Sequence, residues 1–190
     1  MRHVGFVVNP IAGMGGRVGL KGTDGKVAEA RSRGAEPRSP ERARAALKAL
    51  ESHSNGIQLY TYGGEMGESE AEAVGFTPTV VGHPDESETT SADTREAVRA
   101  FLKQGVDLIL FVGGDGTAVD VAETLDELDD NTPILGVPSG VKVYSSVFAV
   151  TPRAAGRIAS SFDRTEGREI NDIDEEAYRG GDVSTALQPL

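Results

Sequence analysis

A three-layer α/β domain built on a mainly parallel sheet is the fold class this sequence predicts, and three observations lead there. Short apolar runs rich in β-branched residues recur along the chain, stretches with a helical apolar period separate them, and glycine clusters directly follow two of the runs. Strands covered on both faces read as nearly continuous apolar segments, and parallel neighbours need a crossover, usually helical, to join them. The 190 residues suit a single ordinary core.

Residues 4–8 (VGFVV) give the first strand, which ends at Asn9-Pro10. A glycine-dense loop, NPIAGMGGRVGLKGTDGK, runs from there to Lys26. Ser39-Pro40 opens a helix, because proline has its φ already set for a first helical position and lacks only an N–H that would go unpaired there. Ala43, Ala46, Leu47 and Leu50 form its apolar face. Residues 57–62 give a second strand, 65–74 a short acidic helix and 77–81 a third strand. Asp93 and Glu96 stand at N-cap and N3 spacing ahead of an amphipathic helix carrying Ala97, Val98, Phe101 and Leu102, which Gly105 ends. Residues 106–112 (VDLILFV) are the strongest strand signal and run straight into Gly113-Gly114-Asp115-Gly116-Thr117. Ala118, Val121, Ala122, Leu125 and Leu128 then mark a helical face, and residues 133–137 a fifth strand. After the turn Pro138-Ser139-Gly140, residues 141–150 are apolar without a clear period, and a helix follows over 152–162.

Charge narrows the function. Thirty Asp plus Glu against nineteen Lys plus Arg leave a net charge of -11, a field that repels nucleic acid and anionic lipid, so neither is an expected partner. Lysine is scarce (Lys21, Lys26, Lys48, Lys103 and Lys142) beside abundant carboxylates, a balance that fits a protein working in concentrated salt, where counterions screen acidic repulsion. The absence of cysteine excludes disulfides, thiolate metal sites and cysteine nucleophiles. The first residues are too short an apolar run for a secretion signal, and no run approaches the roughly 20 residues of a membrane helix, so a cytoplasmic protein is expected.

The turn Gly113-Gly114-Asp115-Gly116-Thr117 is the centre of the chemistry. Glycines after a buried strand let the backbone approach a ligand, and their N–H groups with the following helix N-terminus suit a phosphate. A carboxylate pressed near phosphate is unfavourable unless it takes a proton from a hydroxyl nucleophile or holds Mg²⁺. Equally open on the residues alone is a tight turn in which Asp115 only caps its helix. The first glycine loop matches neither common phosphate motif. Val18 stands where the dinucleotide fingerprint needs its third glycine, and Leu20 and Val27 break the P-loop pattern around Gly25-Lys26. The acids Asp120, Glu123, Asp126, Glu127, Asp129 and Asp130 read as a solvated helix face, as do Asp172, Asp174, Glu175 and Glu176. Arg31, Arg33, Arg38, Arg42 and Arg44 form a local basic patch, which either faces phosphate or, the reading charge balance favours, neutralises nearby acid. His3, His53 and His83 show no metal-ligand spacing.

The pairing of Asn9-Pro10-Ile11-Ala12-Gly13-Met14-Gly15-Gly16 after the first strand with Gly113 to Thr117 after a later one resembles the superfamily of NAD kinases and diacylglycerol or sphingosine kinases. The stretches GRVGLKGTDG (16–25), VDLILFVGGDGT (106–117) and LGVPSGVKVYSSVFAVTP (135–152) are most similar to its ATP-NAD kinase-like branch, which includes members associated with acetoin catabolism. The resemblance implies a Rossmann-like domain of the NAD kinase N-terminal type over 1–165, with residues 166–190 opening a truncated β-rich C-terminal domain. It also implies transfer of a phosphoryl group from ATP, or polyphosphate, to the 2′-hydroxyl of NAD, giving NADP with Mg²⁺. Asp115 would orient or deprotonate the hydroxyl. Gly113, Gly114, Gly116 and Thr117 would shape the phosphate pocket, with Asn9 holding the first loop, Gly13, Gly15 and Gly16 beside it, and Ser139, Gly140 and Lys142 contributing from the turn after the fifth strand. The metal ligands are left open.

Two features differ from the family pattern. Ser139 to Ser145 (SGVKVYS) replaces the asparagine-containing N-x-G-x-x-G-F segment, and no Asn-Glu pair occurs to grip an adenosine ribose. The β-rich domain that completes the cleft is represented only by its first residues, so either the chain is a truncated product or a neighbouring subunit supplies the rest; a homo-oligomer is expected. The alternatives are a nucleotide-binding remnant without catalysis, and a kinase of the same superfamily with a lipid or small-metabolite acceptor.

Overall fold

The computed structural model describes residues 1–12, 38–53, 56–85, 89–139 and 142–163, and the backbone alone of 169–171 and 183–185. In chain order the elements are β1 (Arg2–Val8), α1 (Ser39–His53), β2 (Ile57–Thr61), a 3₁₀ turn (Gly64–Met66), α2 (Glu68–Val74), β3 (Thr79–Val80), α3 (Ser91–Gln104), β4 (Leu108–Gly113), α4 (Asp115–Glu127), β5 (Ile134–Pro138), α5 (Pro152–Ser161), β6 (Glu169–Asn171) and β7 (Val183–Thr185). The first five strands form one sheet in the order β3-β2-β1-β4-β5, and every pairing in it is parallel. Within 166–190, the described residues form a separate antiparallel pair, β6 with β7.

The alternation of side chains along each strand feeds two cores. Val4, Phe6 and Val8 of β1 and Leu108, Leu110 and Val112 of β4 meet Ala43, Ala46, Leu47 and Leu50 of α1 and Ala155 and Ala159 of α5. On the opposite face Val7, Ile109 and Phe111 meet Ala97, Val98 and Phe101 of α3 and Ala118, Val121, Ala122 and Leu125 of α4. These are the apolar faces that helical spacing picks out in the sequence. Helices α1 and α5 cross at Gly156, where an added Cβ would stand 2.1 Å from the Ala46 carbonyl oxygen, so only a bare backbone permits that approach.

Two local expectations shift, and one segment without a clear period is placed. The capping box of α3 lies one turn earlier than the Asp93/Glu96 spacing indicates: Thr90 is the N-cap and Asp93 is N3, its carboxylate accepting from the Thr90 amide at 2.9 Å. Glu96 instead bonds Arg99 on the helix surface. Leu128, placed by periodicity on the buried face of α4, is the C-cap residue and is 49% exposed. The apolar stretch before α5 is irregular, and it lies along β5 through Gly136 N to Val147 O (2.9 Å) and Ala149 N to Gly136 O (3.0 Å).

Candidate functional site

In an open parallel sheet, a crevice forms where the connections leave in opposite directions from neighbouring strands. Here that point lies between β1, whose chain goes on to β2 on one side, and β4 on the other. The two strands end level, with Val8 opposite Val112, and β5 ends beside them with Pro138 opposite Gly113. The topology therefore brings the start of the first loop, the glycine turn and the turn after β5 to one edge.

Asn9 joins the first two. Its amide donates to the Val112 carbonyl at 2.9 Å, its Oδ1 accepts from the Ile11 amide at 3.3 Å, and its Nδ2 donates to Thr117 Oγ1 at 3.1 Å. Thr117 packs into the space a side chain at Gly113 would need, since a Cβ there would lie 2.3 Å from Thr117 Oγ1. Gly113, Thr117 and Asn9 thus interlock across 108 residues of sequence. Gly114 is the N-cap of α4 and supplies no side-chain cap, and open space surrounds Gly116. The amides of Asp115, Gly116 and Thr117 belong to the first helical turn, which has no intrahelical acceptors. Among the described residues no acceptor meets them. Donors of this kind, at the positive end of a helix, are suited to an anion.

Asp115 neither caps its own helix nor stands free. Its Oδ2 accepts from the Tyr144 amide at 2.9 Å, and its Oδ1 accepts from the Ser145 amide at 2.9 Å and the Ser145 hydroxyl at 2.6 Å. The carboxylate pins the segment after β5 against the glycine turn. Ser145 and the Tyr144 amide are partners that sequence reasoning missed, because nothing local links positions about 30 residues apart.

Of the other residues expected in the site, Ser139 is fully buried, with its amide donating to the Gly113 carbonyl at 3.2 Å and its hydroxyl without a partner. Lys142 is exposed, with Nζ 5.1 Å from the centre of the Tyr144 ring. Gly13, Gly15, Gly16 and Gly140 lie outside the described residues, as do Arg31, Arg33 and the acids from Asp172 to Glu176. A cleft of about 500 Å³ opens at the end of β5, lined by Arg42, Pro138, Val143, Ser145, Phe148, Ala149 and Val150. Arg42 belongs to the basic patch for which the sequence offers both a phosphate-facing and an acid-neutralising reading. Its spacing of four from buried Ala46 is the signal that it flanks the sheet-facing side of α1.

The α4 acids are not simply solvated. Arg95 of α3 meets Asp120 at 3.2 Å, Glu123 at 2.5 Å and Glu127 at 3.5 Å, and Arg99 meets Glu127 at 3.4 Å. Among the described residues no group of three His, Asp or Glu side chains is placed to hold a metal. Asp115 already accepts three donors, and the described residues of this edge do not build a ligand set for a protein-held Mg²⁺. No described helix is long and apolar enough to cross a membrane.

Comparison with curated proteins and with solved structures finds no match in either. A family model, by contrast, matches residues 4–166, which take in the five-stranded sheet and its edge: the model of the ATP-NAD kinase N-terminal domain. With that match spanning most of its length, the chain belongs to the ATP-NAD kinase family, through its N-terminal domain.

Proposed function

We propose that the protein is an NAD kinase-like phosphotransferase, taking a phosphoryl group from ATP or polyphosphate to the 2′-hydroxyl of NAD. One observation carries this: the amides of Asp115, Gly116 and Thr117, which meet no acceptor among the described residues, and the carboxylate of Asp115 stand together at the switch point between β1 and β4. In the proposed reaction the hydroxyl oxygen attacks the terminal phosphorus, the bond from that phosphorus to the bridging oxygen of ADP breaks, and the hydroxyl proton passes to a carboxylate. The amides stabilise the charge on the transferred group, which is the main demand of phosphoryl transfer. Asp115 Oδ2 accepts one bond where Oδ1 accepts two, so it keeps a lone pair for the hydroxyl proton. Mg²⁺ enters with ATP as part of the substrate. Residues 1–165 act as the kinase domain in this reading, with 166–190 as the start of a second domain.

The test is incubation with ATP, Mg²⁺ and NAD in concentrated KCl, watching for NADP. Asp115→Asn is expected to lower turnover at least a hundredfold while ATP still binds. Unchanged turnover would remove Asp115 from the chemistry. A second reading, a nucleotide-binding chain without transfer, is favoured by the three donors that already occupy Asp115. ATP binding without NADP formation is its signature.

A further inference from the structure

The cleft at the end of β5 contains a cation that the site so far leaves unused. Arg42, in the first turns of α1, is half-buried and lines the cleft. Among the described residues its one side-chain bond is a long one, 3.4 Å from Nη1 to the Pro138 carbonyl oxygen, and it pairs with no carboxylate. Among the described residues it is the cation that lines this cleft, whereas Arg95 is engaged by three acids of α4. A guanidinium has five N–H donors in a planar fork, and partial burial makes a missing counter-charge costly.

The surroundings give that fork a task. The cleft volume of about 500 Å³ lies within the usual range for small-molecule sites. Val143, Phe148 and Ala149 supply apolar lining, and Ser145, whose hydroxyl donates to Asp115 Oδ1, lines the cleft with them. One residue therefore separates the cleft from the glycine turn. Ser139, directly after Pro138, adds a buried hydroxyl with no partner, and its amide is bonded to Gly113.

We propose that Arg42 grips a phosphate of the substrate in this cleft, so that a polyphosphate chain spans from the guanidinium at the end of β5 to the first-turn amides of α4. The anion is a nucleoside triphosphate or an inorganic polyphosphate; both present the tetrahedral oxygens that an arginine fork matches in bidentate fashion. The identity of the phosphate as the transferred chain rests on the phosphotransferase reading. The existence of an anion site at Arg42 does not.

Calorimetric titration of the whole chain with ATP and, separately, with inorganic tripolyphosphate tests this at fixed KCl, using wild type, Arg42→Gln and Arg42→Lys. Arg42→Gln is expected to weaken binding about tenfold or more, and Arg42→Lys, which keeps the charge and loses the fork, by less. Loss on both probes assigns the contact to the phosphate chain, and loss on ATP alone assigns it to the nucleotide. Equal binding by all three proteins, or no binding of either probe by wild type, overturns the proposal. Thermal unfolding checks that the variants are folded, and Arg42→Lys serves if Arg42→Gln is not. NADP formation separates the two readings. An unchanged KM for ATP in an active Arg42→Gln protein sinks the Arg42 site alone. Arg42-dependent tripolyphosphate binding in a protein that makes no NADP sinks the phosphotransferase reading alone.

Discussion

Glu70 is a buried carboxyl whose charge the fold does not compensate, and replacing it with glutamine should stabilise the protein in a pH-dependent way. The side chain sits on α2 at 2% exposure, and its Oε2 has no hydrogen-bond partner. Burial pushes its pKa from 4.5 up to about 7, and Glu65 adds to the rise. The amides of Glu70 and Gly67 and the charge of Arg44 pull the other way without cancelling it. A folded pKa above the unfolded one means the folded chain holds more proton between the two values, so stability is fully present below about pH 4.5 and is lost as pH rises through about 7. At 1.36 kcal/mol per pKa unit, the rise corresponds to a ceiling of ~3 kcal/mol. Glu70→Gln keeps the shape and removes the ionisation. Urea unfolding at fixed KCl should show the variant more stable by up to ~3 kcal/mol at about pH 8, with that advantage gone at about pH 4.5. Parallel pH dependences for wild type and variant would refute the reasoning, since Glu70 would then titrate alike in both states.

Other substitutions test the geometry around the site. Gly156→Ala places a methyl group against the Ala46 carbonyl and should cost about 1–3 kcal/mol in urea unfolding, by forcing α1 and α5 apart. Gly113→Ala collides with Thr117 and should release the Asn9–Thr117 bond, weakening ATP binding more than it lowers the melting temperature. Ser145→Ala removes one of three donors from Asp115 and should cost about 1–2 kcal/mol, while Asp115→Ala removes all three acceptor contacts and should cost more; proteolysis at the segment after β5 reports the release.

The sheet was readable because its strands are covered on both faces. VGFVV and VDLILFV have few polar interruptions, and the helices between them bury one stripe each, so the apolar period survives in the sequence. Thr90-x-x-Asp93 and Asp93-x-x-Glu96 have the same capping spacing, and only the packing of Thr94 and Ala97 decides which one starts α3. The position of the glycine turn followed from strand order, but the bonds of Asp115 did not. They reach Tyr144 and Ser145 in an irregular segment whose path is set by Gly136 and β5, not by any period of its own. Arg42 stands among five arginines in the sequence, and local charge cannot show which of them the fold brings to the cleft at the end of β5.

The most direct test of the central claim, that the edge shared by β1 and β4 receives phosphate through the first turn of α4, is an amide NMR titration with Mg²⁺ and ATP. The account predicts that the largest shifts fall on the amides of Asp115, Gly116 and Thr117, saturating together. Saturable binding that leaves those three amides unmoved would contradict it.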